Sequence, residues 1–106
     1  MQIYGLKNCD ICRKAIKALP NATLVDVRQD GVPDAVLTAA WDKFGAALLN
    51  TRSTTWRGLD DAARAKTPLT LIKAHPALMK RPLIVVEDQF FLGWNNEVEG
   101  DLKALL

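Results

Sequence analysis

Cysteine, histidine and tyrosine are scarce in this chain, at two, one and one of 106 residues. Two cysteines are far too few for a disulfide framework. Cys9 and Cys12 lie one helical turn apart, so a bridge between them would close too short a loop to stabilise much. A closed structural zinc site is excluded as well, because zinc takes four ligands and only Cys9, Cys12 and His75 are at hand before carboxylates are recruited. Ligand softness leaves only two-coordinate copper(I) between the two thiolates as metal chemistry, and no metal is expected.

An excess of charge of one sign is also lacking. Lys and Arg number 14 against 12 Asp and Glu, a formal net charge of +2. That field is too weak to displace the counterions on which general nucleic-acid binding depends. No apolar run approaches the roughly 20 residues that span a bilayer, and Met1 to Gly5 lacks the charged start and long apolar stretch of a signal peptide. A cytoplasmic protein is expected, with neither a membrane nor nucleic acid as direct partner. There is no repeat, low-complexity tract or Ser/Gly-rich linker. With 49% apolar residues, the chain can close one core burying roughly two-thirds of its unfolded surface, which predicts a single domain over 1–106.

The elements alternate in type. Met1 to Gly5 reads as a first strand ended by Gly5, followed by a Leu6-Lys7-Asn8 loop. A helix is expected from about Cys9 or Asp10, with Ile11, Ala15, Ile16 and Leu19 on one stripe, ending at Pro20-Asn21. Thr23 to Val27 is the second strand. After the turn-rich Gln29 to Val32, Pro33 suits a first helical position, and Val36, Leu37, Ala40, Trp41 and Phe44 follow at helical spacing, with Trp41 and Phe44 assigned to the core. A short helix over Ala47 to Leu49 precedes a polar segment, Asn50 to Thr55. Asp60 to Lys66 makes about two helical turns. Thr67-Pro68 starts another helix, stopped by His75-Pro76.

Leu83 to Val86 is apolar and largely β-branched, as in a strand covered on both faces, and with Phe90 to Leu92 it forms a hairpin. A closing helix carries Val98, Leu102 and Leu105 on one face. A β-α-β start, a helical segment and a β-β-α finish define an α/β thioredoxin-like sandwich with a mixed four-stranded sheet and an inserted helical segment.

The sharpest chemical feature is Cys9-Asp10-Ile11-Cys12, a C-x-x-C between the first strand and the first helix. A sulfur at a helix N-terminus meets unpaired N–H groups and the positive end of the dipole, which stabilise a thiolate. Cys9 is therefore the expected nucleophile. Cys12, a turn later on nearly the same face and less exposed, is placed to attack a mixed disulfide on Cys9. Lys7, Arg13 and Lys14 would favour the thiolate further, whereas Asp10 opposes it. Arg52, Arg57, Lys80 and Arg81 could form an anion pocket, each weighed against plain solvated surface. His75 would have to approach Cys9 to act as a base and is read instead as a helix end. Trp56 and Trp94 stand in loop-like context, with no role assigned.

Three stretches carry a resemblance: Ile3-Tyr4-Gly5-Leu6-Lys7-Asn8-Cys9-Asp10, Leu48-Leu49-Asn50-Thr51-Arg52-Ser53-Thr54-Thr55-Trp56-Arg57, and His75-Pro76-Ala77-Leu78-Met79-Lys80-Arg81-Pro82-Leu83-Ile84-Val85. Together they resemble the ArsC/Spx/YffB family of thioredoxin-fold proteins, in particular its YffB-type members, over essentially the whole chain. The resemblance implies that Cys9 is the reactive thiol. It also implies that Pro82 is cis and faces that thiol, leaving the preceding backbone free to pair with an extended thiol such as glutathione. It matches Arg81 to an oxyanion-site arginine of arsenate reductases; Arg52 is offset from another, at whose position Asn50 stands.

Two departures narrow the inference. Phe91-Leu92-Gly93-Trp94 occupies the region where arsenate reductases carry a further arginine, which argues against arsenate reduction. Cys12 supplies an internal resolving thiol that those enzymes lack. The expectation is a thiol oxidoreductase with glutathione as co-substrate and no tightly bound cofactor, in which Cys9 attacks, Cys12 or glutathione resolves, and Arg81, Pro82, Arg52 and Lys7 bind a disulfide or oxyanion substrate. The rival is a non-enzymatic redox switch that binds a protein partner, as Spx-like relatives bind RNA polymerase.

Overall fold

The computed structural model describes residues 1–105. Its chain falls into two compact units, one built from residues 1–26 together with the chain from Arg81 onward, the other from Val27–Lys80.

The first unit is a four-stranded sheet with two helices. Strand β1 (Gln2–Gly5) runs into helix α1 (Asp10–Ala18) and strand β2 (Thr23–Asp26). These pair in parallel, Gln2 with Thr23 through Gly5 with Asp26, as a strand-helix-strand crossover requires. Strands β3 (Leu83–Val86) and β4 (Gln89–Leu92) follow the insertion and are joined by Glu87-Asp88. The first residue of that turn adopts a left-handed φ of 55°, the conformation a two-residue hairpin with matching twist demands at this point. The sheet order is β2-β1-β3-β4, with β3 antiparallel to both of its neighbours. This is the thioredoxin-like mixed sheet expected from the order of elements.

One face of the sheet carries the core of this unit. Ile3 and Ile84 are register partners, and they pack with Ala15 and Leu19 around α1 and with Leu102 of the last helix, α7 (Asn96–Leu105). Leu83 and Val85, on the opposite face of β3, are buried too, which explains a strand with no polar alternation. The apolar stripes of the two helices differ in part from expectation. Cys12, Ala15 and Leu19 are buried, but Ile11 is 46% exposed; Leu102 is buried, but Leu105 is 42% exposed. Ile11 sits in the first turn of α1, next to the fully buried Cys12, which takes the inward position there.

The second unit is helical, with α2 (Val27–Asp30), α3 (Asp34–Phe44), α4 (Thr54–Arg57), α5 (Asp61–Arg64) and α6 (Pro68–Ala74), and 3₁₀ turns at Gly45–Leu48 and Pro76–Leu78. Its middle, at Leu48–Asn50, is tied to its C-terminal end by main-chain bonds, Asn50 N–H to the Leu78 carbonyl and Lys80 N–H to the Leu48 carbonyl, both 2.7 Å. Several boundaries move. β2 stops at Asp26 because Val27 turns inward, fully buried, to begin α2. Pro33 precedes α3 as its N-cap instead of occupying its first turn. The polar segment hides the start of α4, because Ser53 Oγ accepts the Trp56 N–H at 3.2 Å and caps a helix too short to show periodicity. Trp41 and Phe44 are only half-buried, with Leu37 and Ala40 taking the buried positions of α3.

Among the described residues no helix is long and apolar enough to cross a membrane. Truncation of Leu102 removes the one fully buried side chain by which α7 joins the sheet core. Leu102→Ala should lower unfolding stability by about 2–5 kcal/mol, measured by urea denaturation; a loss well under about 1 kcal/mol would show that α7 docks through other contacts.

Candidate functional site

The strand-to-helix connection positions both sulfurs. Leu6 acts on each cysteine with a different half of its peptide. Its carbonyl accepts the Cys9 N–H at 3.2 Å, and its own N–H faces the Cys12 sulfur. Beside it, Arg13 Nε donates to the Lys7 carbonyl at 3.0 Å, and the Lys7 N–H makes a long contact, 3.5 Å, to Asp26 Oδ2 at the end of β2. The loop between β1 and α1 is thus held from both sides.

Cys9 is the N-cap of α1, with extended backbone (φ −94°, ψ 120°). That position usually carries Ser, Thr, Asp or Asn, whose oxygen accepts a first-turn N–H. Here a sulfur stands in the oxygen's place. It makes no cap hydrogen bond of ordinary geometry, but the Ile11 and Cys12 amides are directed at it. A neutral thiol gains little from those donors, whereas a thiolate gains a great deal, so the arrangement acts on the acid equilibrium.

The two thiols are consequently driven apart. Partial burial by itself raises the Cys9 thiol. The Cys12 amide, a hydrogen bond from the Cys12 thiol, the Arg81 charge and the Ile11 amide together outweigh it, holding Cys9 below its ordinary value. Cys12, with no exposed surface, is pushed up to about 11, first by burial and then by its hydrogen bond to Cys9 and the Cys9 charge, against the opposing Leu6 amide and Arg81. Both sulfurs are free thiols, Cys9 half-exposed and Cys12 buried. The pair therefore sets the sulfur that ionises more readily towards the surface and a thiol hydrogen-bond donor beneath it.

Arg81 reaches this site through the sheet. The antiparallel register pairs Tyr4 with Leu83, and Arg81, two residues before Leu83, is near enough to the motif for its charge to act on both sulfurs. The Arg81–Pro82 peptide is cis. Pro82 is buried, and its carbonyl accepts the Gly93 N–H at 2.8 Å, securing the start of β3 to the end of β4.

Of the residues singled out in the sequence, Cys9, Cys12, Lys7, Arg81 and Pro82 thus belong to one unit. Lys7 is exposed and contributes its main chain. Arg52 belongs to the helical unit, where it is exposed and its N–H donates to Asn50 Oδ1 at 3.0 Å; Asn50 shapes that turn. The cationic contribution to the Cys9 sulfur comes from Arg81 and not from Lys7, Arg13 or Lys14, the cations expected to supply it; Arg13 is bonded to the Lys7 carbonyl instead. His75 caps α6, its N–H on the Leu71 carbonyl at 2.8 Å. Trp56 lies 5.5 Å under the Arg64 guanidinium and accepts from it through its carbonyl, and Trp94 packs against the sheet core.

Two residues of the site escaped sequence reasoning. Leu6 acts through its backbone, which carries no side-chain signal. Gly5 reads in the sequence as a strand terminator; in the structure, a Cβ at Gly5 would lie 2.5 Å from Cys12 Sγ, so the glycine leaves room for the sulfur.

A C-x-x-C pair at the first strand-helix junction of a mixed four-stranded sheet, with its outer thiol at a helix N-terminus, defines a dithiol protein of the thioredoxin-fold class. The model of the ArsC family matches residues 4–101, and the chain belongs to that family. A Haemophilus influenzae protein is 38% identical over 104 residues, covering 90% of this chain and 91% of its own. Among solved structures, the YffB protein superposes with a TM-score of 0.85 at 26% identity over 99% of this chain and 98% of that one. An arsenate reductase-related protein of Brucella melitensis gives 0.69, also at 26% identity, over 99% and 94%. An arsenate reductase of Vibrio cholerae, 17% identical, shares the fold with a TM-score of 0.68 over 100% and 98% of the two chains. Family and site together support a thiol-based redox function.

Because Arg81 favours the Cys9 anion, Arg81→Ala should shift the pH profile of Cys9 alkylation upward and slow labelling at neutral pH. Iodoacetamide rates measured across pH check this; identical profiles for the two proteins would remove Arg81 from the electrostatics of the site.

Proposed function

We propose that this protein is a thiol-disulfide oxidoreductase that uses glutathione as co-substrate and works in a reducing, cytoplasmic setting. The observation that carries the reading is the division of labour between the two sulfurs: Cys9 lowered and partly exposed, Cys12 raised and buried against it. Nucleophilic attack on a disulfide needs an accessible thiolate, and of the two sulfurs Cys9 is both the more exposed and the one shifted toward ionisation.

The cycle balances as two exchanges. The Cys9 thiolate attacks one sulfur of a substrate disulfide, forming a mixed disulfide as the other sulfur departs as thiolate and takes a proton from solvent. Cys12 then loses its proton and attacks Cys9 Sγ, so the substrate's second sulfur leaves as a thiol and an internal Cys9–Cys12 disulfide remains. Two glutathione molecules reduce that disulfide and leave as oxidised glutathione.

The first exchange prepares the second. Once Cys9 is in a disulfide it carries no charge and accepts no proton from Cys12, so two of the three influences that raise Cys12 disappear, while the Leu6 amide and Arg81 continue to lower it. The resolving thiol is thereby kept protonated until its target exists. In this scheme Arg81 also offers a guanidinium to a glutathione carboxylate, and the main chain before Pro82 offers an extended edge. Lys7 adds positive charge for the anionic co-substrate.

Ile11 favours a second reading. Its 46% exposure in the residue immediately before Cys12 offers an apolar contact of the kind a protein partner covers, as in a redox switch whose Cys9–Cys12 state controls binding. The oxidoreductase predicts that oxidised glutathione gives a lasting Cys9 adduct in Cys12→Ser, seen by mass spectrometry, whereas the wild-type chain passes through it to the internal disulfide and turns over with glutathione and a small disulfide. Adduct formation without turnover, together with a protein retained in only one redox state, would support the switch instead.

A further inference from the structure

The reading of Cys12 as a resolving thiol leaves open what holds its sulfur within reach of Cys9. A cysteine side chain has one rotatable bond before sulfur, so its position is set by the helix that carries it and by whatever lies opposite. Opposite Cys12 lies the end of β1. A Cβ built at Gly5 would come within 2.5 Å of Cys12 Sγ and 3.3 Å of Cys12 Cβ, with Leu24 Cδ1 next at 3.9 Å. The first distance is closer than real carbon and sulfur atoms approach. Gly5 is buried and is held in the sheet, paired with Asp26, and Cys12 is held in α1, so neither backbone has an easy retreat.

We propose that Gly5 is a positioning residue for the resolving thiol: its missing side chain leaves the space beside β1 in which Cys12 Sγ lies, with the Leu6 N–H on one side and Cys9 on the other. The proposal rests on the dithiol reading and deepens it. Any side chain at this position forces the sulfur to another rotamer or pushes α1 from β1. In either case Cys12 loses the Leu6 amide and its hydrogen bond to Cys9, and with them the geometry for attack on Cys9 Sγ. Gly5 touches no substrate and acts entirely through Cys12.

The experiment compares wild type, Gly5→Ala, Cys12→Ala and Gly5→Ala/Cys12→Ala. Two quantities are read: the pH midpoint of Cys9 alkylation, and the lifetime of the Cys9 adduct formed with oxidised glutathione. In Gly5→Ala the Cys9 midpoint should rise, because the Cys12 thiol no longer donates to Cys9, and the adduct should persist at least tenfold longer than in wild type. In the Cys12→Ala background the sulfur is gone, so adding Gly5→Ala should leave the Cys9 midpoint where Cys12→Ala sets it. A residue that merely terminated the strand would lower stability equally in both backgrounds and move neither quantity through Cys12.

If Gly5→Ala does not fold, recovery of folding in Gly5→Ala/Cys12→Ala supports the proposal, and failure of both variants overturns it. An unchanged midpoint in folded Gly5→Ala, or equal shifts in both backgrounds, also overturns it. Should wild type and Cys12→Ala keep the adduct equally long, the resolving role itself fails; the Cys9 midpoints still decide whether Gly5 positions the Cys12 sulfur.

Discussion

An α-helix cannot bond its first N–H groups to itself, and in α1 two of these groups, from Ile11 and Cys12, are turned on the Cys9 sulfur. That contact supplies a preference for negative charge at one atom, in a molecule whose overall charge is nearly balanced. The preference depends on Cys9 taking the N-cap position with extended backbone. This in turn depends on Leu6 accepting the Cys9 N–H and on Arg13 securing the Lys7 carbonyl. The sheet sets where β1 ends, and the end of β1 sets where α1 begins.

The same arrangement separates the two thiols chemically while keeping them adjacent. Burial of a polarisable sulfur costs little as long as it stays neutral, because a thiol is close to apolar in its packing. Cys12 therefore fills a core position as a thiol, and ionising it there is disfavoured until its neighbour's charge has been consumed. Cys9 takes the opposite course at the surface. Arg81 adjusts both, and it does so from the start of β3 because the antiparallel pairing of β1 with β3 brings a residue far along the chain beside the loop that carries the motif.

How much of this could be read in the sequence varied with how the information is carried. The C-x-x-C, its place between strand and helix, and the apolar β3 run are signals of residue type and order, and they specify the sheet and which sulfur stands at the helix N-terminus. The extent of α1's stripe was not legible at Ile11, because periodicity groups side chains on one face but does not say which of them is covered, and Cys12 takes the buried position in that turn. Helix α4 was hidden because a cap and one turn leave no period to detect. The Leu6 contribution is wholly main-chain, and Gly5 carries a message about a space instead of a group. Arg81 could be ranked among several cations by resemblance, but only the strand register explains why it, and not Arg13, acts on Cys9.

The central claim is the inequality of the two sulfurs, and limited alkylation of the reduced wild-type protein tests it most directly. With less than one equivalent of iodoacetamide at neutral pH, followed by digestion and mass spectrometry of the Cys9–Cys12 peptide, the account predicts nearly all of the label on Cys9. Label shared evenly between the two cysteines, or found chiefly on Cys12, would contradict it.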